Sequence, residues 1–316
     1  MQSLSKLLKT IPTVATGGSL NIGVHALVSD SREVAPGSLF FAFPGIKSSG
    51  NDFMDEAVAR GAVGVVSSEP LPKHCPVAYI QVDDARIALV EMAKVFYKDP
   101  LKALRLVAVT GTKGKTTTTF LIEHLLGFPE LPVGLLGSVR YDIGQRSVPS
   151  IRATPASADL WRIFAQMRDE GCHQAVVEVT SYGIEQRRIL GVPFEGAVFT
   201  NLSHDHLDYH GSMEHYFASK ARVFIGNEGR VPQFAVINID DEYGRRLLAM
   251  LPAGVRPLTF CVESASDTSE ADFRFEVGSM NALRSTGRLI TRQGAAYPCV
   301  VPLPGCLQPV WLWAFP

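Results

Sequence analysis

The sequence is poor in the features that mark secreted, membrane and cysteine-rich proteins. It has five cysteines, an odd number, and no Cys-x-x-Cys pair, so neither a disulfide framework nor a cysteine-based zinc site is indicated. No apolar run reaches the roughly 18 residues of a membrane span, and the N-terminus lacks the apolar core of a signal peptide. The sequence also has no internal repeat and no low-complexity tract. These absences predict a cytoplasmic protein with reduced thiols and no association with membranes.

The chain also lacks an excess of either charge, with 30 Lys and Arg residues against 31 Asp and Glu residues. Bulk electrostatics therefore favours neither nucleic acid nor an acidic membrane surface as a partner. Any anionic ligand has to be bound by local geometry. Hydrophobic residues make up 46% of the chain and charged residues 19%, which is typical of a packed globular core. The length of 316 residues allows two domains of ordinary size.

The pattern of strands and helices divides the chain into three segments. Residues 1–98 predict a small α/β domain, which ends at Asp99-Pro100. In residues 99–305, buried strands that end in polar residues alternate with helices. This alternation predicts a doubly wound, P-loop-type, mostly parallel sheet that binds ligands at the carboxyl ends of its strands. Short β-like runs after Arg256 indicate antiparallel strands added to the sheet edge. The remaining residues, 306–316, form a short tail, which the family resemblance described below marks as aberrant.

A glycine-containing turn follows the apolar run of residues 106–109 and precedes a helical pattern. Its spacing is Gly111-x-x-Gly114-Lys115-Thr116. Backbone N–H groups at the start of such a helix attract an anion. Lys115 adds a charge for the outer phosphates of a nucleotide, and the Thr116 hydroxyl can hold Mg²⁺. The standard P-loop has an earlier glycine where this chain has Val109, so a strand, turn and helix with chance glycines is the alternative interpretation.

Glu178 follows a second buried apolar run. We expect it at the carboxyl edge of the sheet, where it can share Mg²⁺ with Thr116. The alternative is a surface glutamate at a strand end. Lys220 lies in a helical run and can reach the same edge, although a lysine considered alone is most often a solvated surface residue.

The segment 201–210 is dense in polar groups. Four of the eight histidines lie in or near it: His204, His206, His210 and His215. A zinc site is one interpretation, but the His-x-His spacing suits one helix face poorly and no cysteine is near. The segment favours a loop that faces a nucleotide.

Several motifs, taken together and in order, resemble the Mur ligase family, and within it the UDP-N-acetylmuramyl-tripeptide synthetases. These motifs are Gly111-Thr-x-Gly-Lys-Thr-Thr117, Glu178-Val-Thr-Ser181, Phe199-Thr-Asn-Leu-x-x-Asp-His-Leu-Asp-Tyr-His210, Ala218-x-Lys220 and Asn238-x-Asp-Asp-Glu242. In addition, Asp30-Ser-Arg-x-Val-x-Pro-Gly-x-Leu-Phe-x-Ala42 resembles the UDP-binding N-terminal domain of that family. The resemblance covers about residues 25 to 305.

The resemblance implies an ATP-dependent ligase of peptidoglycan precursor synthesis. Such an enzyme adds the third amino acid, diaminopimelate or lysine, to UDP-MurNAc-L-Ala-D-Glu through an acyl phosphate. The implied cofactors are ATP and Mg²⁺. We expect a monomer in the cytoplasm.

The resemblance also assigns roles to individual residues. The implied catalytic residues are Lys115, Glu178 and Lys220. The implied Mg²⁺ ligands are Thr116, Glu178 and Lys220, and Lys220 matches a lysine that carries a carbamate in the family. The implied nucleotide-binding set is Gly111, Thr112, Lys113, Gly114, Lys115, Thr116, Thr117, Asn201 and His206. The implied substrate-binding set is Ser29, Ser31, Ile46, Lys47, Ser48, Thr154, Thr180, Gln186 and Arg188.

The chain departs from the family pattern at four places. Lys113 replaces an asparagine in the loop, Tyr182 replaces a histidine near the second metal, and Ser49-Gly50-Asn51 replaces Asp-Gly-His. After Gly305 the sequence no longer resembles the family, which continues toward a third, Rossmann-like domain. From this last departure we hypothesise a truncation or a reading-frame slip. The hypothesis predicts a chain that binds nucleotide weakly and does not ligate. Resequencing the coding region checks it.

Two other functions stay open at this point. One is another Mur-type ligase, either the enzyme that adds D-Ala-D-Ala or folylpolyglutamate synthase. The segment around Asp30 argues against the folate enzyme, which lacks a UDP-binding module. The other is a non-catalytic nucleotide-binding remnant, against which the intact Lys115, Glu178 and Lys220 argue.

Overall fold

The computed structural model describes residues 1–45, 49–127, 131–226, 230–262 and 271–301. The chain packs as two compact units. The first contains Met1–Lys102, Ala156–Gln166 and Arg187–Gly191, and the second contains the rest of the described residues. Among the described residues, every helix is too short or too polar to cross a bilayer. The predicted boundaries at residues 98 and 305 stay predictions, and the tail of residues 306–316 lies outside the described ranges.

The first unit is built on a five-stranded sheet with the order β2-β7-β6-β5-β4, in which β2 is antiparallel to β7 and the other pairs are parallel. Asp84 begins the longest helix of this unit by accepting the N–H groups of Arg86 and Ile87. The apolar face of that helix packs on buried residues of the sheet such as Phe41 and Ile80. The elements are β1 (Gln2–Ser3), α1 (Leu4–Leu8), β2 (Ala15–Gly17), β3 (Gly23–Val24), β4 (Ala26–Val28), β5 (Ser38–Ala42), α2 (Met54–Ala59), β6 (Ala62–Ser67), β7 (Ala78–Gln81) and α3 (Ala85–Phe96).

The second unit is built on an eleven-stranded sheet with the order β11-β10-β9-β12-β8-β13-β14-β15-β16-β17-β18. Its elements are β8 (Arg105–Thr110), α4 (Lys115–Leu126), β9 (Val133–Leu136), β10 (Arg140–Ile143), β11 (Arg146–Pro149), α5 (Ser157–Asp169), β12 (Gln174–Glu178), α6 (Ser181–Glu185), β13 (Phe194–Phe199), α7 (Leu207–His210), α8 (Met213–Ile225), β14 (Phe234–Asn238), α9 (Glu242–Met250), β15 (Arg256–Val262), β16 (Phe273–Met280), β17 (Ser285–Thr291) and β18 (Ala296–Val301). Helix α5 contributes its residues up to Gln166 to the first unit.

The predicted fold class is confirmed. The strands from β9 to β16 in the sheet order are parallel to one another, and β8 lies between β12 and β13. These central strands are continuous apolar runs because helices cover both faces of a parallel sheet. Their carboxyl ends meet at one edge, which places the ends of β8, β12 and β13 side by side.

The prediction that all strands after Arg256 are antiparallel is wrong for two of them. Strand β15 pairs parallel with β14, and β16 pairs parallel with β15; only the pairs β16–β17 and β17–β18 are antiparallel. The reason for β15 is α9, which lies between β14 and β15 in the chain. A helical crossover of this kind returns the chain in the same direction. The antiparallel hairpin of β10 and β11 was not predicted from the sequence.

Candidate active site

The loop after β8 has the backbone geometry of a phosphate-binding loop. Both of its glycines have positive φ angles, +145° at Gly111 and +82° at Gly114, which favour glycine over other residues. At Gly111 a Cβ atom would collide with the Thr200 side chain. Helix α4 begins directly after Gly114, with no side-chain cap and no acidic residue in its first turn. The N–H groups of that turn, including those of Thr116 and Thr117, are oriented to attract an anion.

Residues after β13 hold this loop by its backbone. The Asn201 side chain accepts the N–H of Lys113 at 3.0 Å and donates to the Lys113 carbonyl at 3.0 Å. Thr200 donates to the same carbonyl at 2.7 Å. The Thr112 N–H donates to the Asn201 carbonyl at 2.8 Å. The structure therefore brings Asn201 to the predicted loop, where its side chain bonds to the Lys113 backbone.

Lys115 is the cation at the start of α4. Its Nζ donates to the Thr112 carbonyl at 2.9 Å. Burial lowers the pKa of Lys115, while the nearby charges of Glu178 and Asp205 act in the opposite direction. Lys113, the departure from the family pattern, is exposed. The loop thus combines helix N–H groups with one partly buried cation and one exposed cation, an arrangement that suits a polyphosphate.

Glu178 ends β12 and is only 2% exposed. Its Oε2 accepts three hydrogen bonds: from the Thr116 hydroxyl at 3.0 Å, the Ser138 hydroxyl at 2.9 Å and the Ser138 N–H at 3.1 Å. A carboxylate and two hydroxyls at one point form an all-oxygen donor set, which is the kind Mg²⁺ takes together with water and phosphate oxygens. The residues present therefore fit the implied Mg²⁺.

Lys220 lies in α8 and is 1% exposed. Its Nζ donates to the carbonyl of Gly111 at 2.7 Å and lies 4.6 Å from the centre of the Tyr216 ring. Burial and the neighbouring charge of Lys115 hold the pKa of Lys220 well below its ordinary value, while Asp205 and Glu178 act against this shift. The alternative interpretation of Lys220 as a solvated surface residue is excluded, and the structure places it against the phosphate-binding loop.

His206 lies at the start of α7 in the left-handed region, with φ +54°. Its ring is exposed and its Nδ1 lies 3.4 Å from a carboxylate oxygen of Asp205. The Tyr182 ring, which the family resemblance predicts to replace a histidine, packs edge-on against His206 with ring centres 5.1 Å apart and also contacts Tyr209. Tyr182 therefore belongs to an aromatic cluster beside His206, and a phenol is a poorer metal ligand than imidazole.

The four predicted substrate residues from Thr154 to Arg188 divide into two kinds. Thr154 is 1% exposed and donates to the carbonyl of Glu178 at 2.9 Å. Its hydroxyl lies 3.0 Å from that of Thr180, which caps α6. These two threonines thus fix the chain after β12. Gln186 ends α6 and is exposed, whereas Arg188 belongs to the first unit and is half-buried.

The first unit contains a cavity of about 470 Å³, within the size range of small-molecule sites. It is lined by Ser29, Asp30, Ser31, Arg32, Phe40, Phe43, Gly50, Phe53 and Glu56. Ser29 and Ser31 of the predicted uridine-diphosphate pocket are among them, and the Ser31 hydroxyl donates to Glu56 at 2.6 Å. The other predicted members, Ile46, Lys47 and Ser48, lie outside the described residues.

Three residues of the second-unit site were missed by the sequence analysis. Ser138 holds Glu178, Asp205 lies near both buried lysines, and Tyr216 underlies Lys220 and lies 3.2 Å from the Thr112 hydroxyl. A signal was present for Ser138, because it follows β9 just as Glu178 ends β12. For Tyr216 the only signal was its position four residues before Lys220, one helical turn away.

Comparisons with known proteins place these features in one family. Residues 23–97 match the family described as Mur ligase family, catalytic domain, and residues 109–307 match the Mur ligase middle domain. A UDP-N-acetylmuramoyl-L-alanyl-D-glutamate--2,6-diaminopimelate ligase of Geobacter metallireducens is 40% identical over 282 residues, which is 84% of this chain and 55% of that protein. A ligase of the same name from Geobacillus kaustophilus is 41% identical over 93% of this chain and 59% of its own length.

A solved structure of a ligase with that name is also similar, with a TM-score of 0.77 and 27% identity. The match covers 99% of this chain and 62% of the solved chain. The chain therefore spans between half and two thirds of the length of these relatives. The matched families cover both the segment that carries the first-unit cavity and the segment that carries the phosphate-binding loop. The chain belongs to the Mur ligase family.

Proposed function

We propose that this chain binds ATP with Mg²⁺ and a UDP-linked muramyl dipeptide, and serves in adding the third amino acid to UDP-MurNAc-L-Ala-D-Glu. The observation that carries the proposal is the convergence of β12, α8 and the segment after β13 on the loop of Gly111 to Thr117. Thr116 bonds to Glu178 from β12, and Gly111 accepts the buried Lys220 from α8. The names of the relatives support diaminopimelate as the added residue, with lysine as the alternative.

In this reaction an anionic substrate carboxylate must approach the anionic triphosphate of ATP, so the enzyme has to offset the repulsion between them. A substrate carboxylate attacks the γ-phosphorus of ATP, an O–P bond forms as the bond to ADP breaks, and an amine then displaces phosphate to form the amide. Lys115 and the N–H groups at the start of α4 offset the phosphate charge before and during the attack. Thr116 and Glu178 would hold Mg²⁺, which supplies further neutralisation of that charge.

Lys220 is proposed to act as a carbamate. Its amine would add CO₂, forming an N–C bond and releasing one proton, which converts a cation into a carboxylate-like group. Two observations support this proposal. Lys220 is almost fully buried beside another lysine, and its lowered pKa favours the neutral amine, the form that attacks CO₂. A carbamate there would supply a second anionic oxygen ligand, besides Glu178, for a divalent cation.

The cavity of the first unit is proposed as the uridine-diphosphate site. Phe40, Phe43 and Phe53 line it and supply aromatic surface for a base, and Arg32 offers a cation to a phosphate. This cavity favours a UDP-bearing substrate over a folate. We propose a monomer that works in the cytoplasm, where nucleotide-linked precursors and ATP are available.

The test is Mg²⁺-dependent binding of a non-hydrolysable ATP analogue to the full chain, measured by isothermal titration calorimetry. Lys115→Ala is expected to weaken binding by roughly tenfold to 100-fold, because it removes a charge-assisted contact to phosphate. Lys113→Ala is the matched control in the same loop. It is expected to weaken binding of the ATP analogue by about threefold or less, because the Lys113 amine is exposed.

Phosphate release is then measured with ATP, UDP-MurNAc-dipeptide and diaminopimelate, each omitted in turn. Release that needs the dipeptide supports the ligase. Analogue binding that does not depend on Mg²⁺ or Lys115 would contradict the proposed nucleotide site. Release that is indifferent to the dipeptide would contradict the substrate assignment, and a remnant without catalysis would give no release at all.

A further inference from the structure

Three side chains that commonly bind metals meet at the ends of three helices in the second unit. Glu185 is the last residue of α6, His210 is the last residue of α7, and His215 lies in the first turns of α8. One ligand atom from each lies within 4.8 Å of the other two. None of the three belongs to the proposed nucleotide or substrate sets. The sequence offered His210 and His215 among four histidines of one possible zinc site, but it could not add Glu185, which is far from them along the chain.

His210 is the residue that most requires an explanation. It is only 4% exposed, and neither of its ring nitrogens has a hydrogen-bond partner among the described residues. A buried polar atom without a partner costs about 1–3 kcal/mol, so such groups are rare in folded proteins. Burial and the neighbouring charges of His215, Lys220 and His206 lower the pKa of His210, while Glu185 raises it. A neutral imidazole with an unused lone pair is a ready ligand for a transition metal.

His215 is already oriented as metal-bound histidines usually are. Its Nδ1 lies 2.9 Å from the backbone carbonyl of His210, so Nδ1 carries the proton and donates it. This leaves the lone pair of Nε2 for a ligand, and Nε2 lies 3.8 Å from Oε1 of Glu185. A hydrogen bond from the second ring nitrogen to a carbonyl fixes the tautomer and orientation of most ligating histidines.

Glu185 is held in place by Arg222, whose Nη1 lies 3.3 Å from Oε1. The carboxylate is half-buried and has a second oxygen. In a tetrahedral zinc site with bonds of about 2.0–2.1 Å, neighbouring ligand atoms are roughly 3.3 Å apart. The separation of 3.8 Å between Glu185 and His215 therefore needs only a small rotation of the side chains.

We propose that Glu185, His210 and His215 form a binding site for a borderline transition-metal ion, Zn²⁺ above all, with water as the fourth ligand. Two imidazoles and one carboxylate favour Zn²⁺ over Mg²⁺ or Ca²⁺, which take oxygen ligands. A metal ion bound there would link α6, which begins three residues after Glu178, to α8, which carries Lys220. The site is separate from the proposed Mg²⁺ site and does not depend on the proposed ligase function.

The test is Co²⁺ and Zn²⁺ binding to the untagged full chain after dialysis against a chelator. Co²⁺ is followed by its visible absorption, which is intense in tetrahedral sites, and Zn²⁺ is measured by displacing Co²⁺ and by calorimetry. We expect one equivalent of tightly bound metal. His215→Gln is expected to weaken Zn²⁺ binding by roughly tenfold or more; its side chain is 52% exposed, so the variant should keep its fold. Glu185→Gln is expected to act in the same direction.

Two further variants make the result specific. His173→Gln, at an exposed histidine outside the cluster, is expected to leave Zn²⁺ affinity unchanged. Glu178→Gln, in the proposed Mg²⁺ site, is expected to leave the Co²⁺ spectrum unchanged. The proposal is overturned if no stoichiometric metal binds, if His215→Gln binds as tightly as the parent chain, or if Glu178→Gln abolishes the signal. Absence of binding would mean that Glu185 and His215 form an ion pair only.

Discussion

Two glycines of the phosphate-binding loop share a positive φ angle but differ in their surroundings. A Cβ atom at Gly111 would overlap the Thr200 hydroxyl, whereas at Gly114 it would meet no atom within 4 Å. We expect Gly111→Ala to lower the free energy of unfolding by about 3 kcal/mol or more, because steric overlap adds to backbone strain. Gly114→Ala should cost only the strain, about 1–2 kcal/mol. Urea unfolding of both variants measures the difference, and equal losses would contradict it.

The carbamate proposed at Lys220 can be detected directly by NMR. If the buried amine carries a carbamate, the chain incubated with ¹³C-bicarbonate should show a carbamate carbon signal by NMR. Lys220→Arg removes the signal, since a guanidinium does not add CO₂ in this way. Because protonation removes the lone pair that attacks CO₂, the signal should decline as the pH falls through the lowered pKa of Lys220.

The control for this experiment is Lys94→Arg, at a lysine that is 36% exposed and paired with Glu91 in α3. It should leave the carbamate signal unchanged. A signal that persists in Lys220→Arg, or one that strengthens toward acid pH, would rule out a carbamate at Lys220.

At the scale of single elements, the sequence predicted the buried central strands and also the strands β16, β17 and β18 at one edge, but not the hairpin of β10 and β11 at the other edge. Strands β8, β12 and β14 are apolar runs that end at polar residues. Runs of this kind are typical of strands that are buried on both faces in the middle of a parallel sheet. The hairpin of β10 and β11 has no comparable signal. Arg140 and Arg146 interrupt its apolar residues, and the two-residue turn at Gly144 is visible only as an isolated glycine. Whether an edge segment of this kind forms a strand depends on its packing against neighbouring strands in the sheet.

The candidate site shows the same division between local and long-range information. Gly111, Lys115 and Thr116 were predicted because their roles follow from spacing within one turn. The role of Asn201 could not be predicted in this way, since both of its side-chain bonds go to the backbone of Lys113, 88 residues earlier. The pairing of Thr154 with the carbonyl of Glu178 is equally long-range. Contacts of this type depend on the register of β8, β12 and β13, which the sequence does not specify.

For the molecule as a whole, the candidate UDP site lies in the first compact unit and the candidate ATP site in the second, so the two ligands should respond to different substitutions. Phe53 lines the first-unit cavity and is 42% exposed, which makes its removal safe for the fold. We expect Phe53→Ala to weaken UDP binding by about tenfold or more, because stacking of a base on an aromatic ring contributes roughly 1–3 kcal/mol. It should leave affinity for the ATP analogue unchanged. Calorimetry with each ligand separately measures both effects.

The matched control is Ile87→Ala, at a similarly exposed apolar residue of α3 that does not line the cavity. It should change neither affinity, since it removes apolar surface of similar exposure without touching a site. Equal weakening of UDP binding by both variants would mean that Phe53 acts through the stability of the first unit. No loss in Phe53→Ala would mean that the base lies elsewhere. A loss confined to Phe53→Ala and to UDP would place the base against the rings of the cavity, because Ile87→Ala truncates an apolar side chain of similar exposure that does not line the cavity.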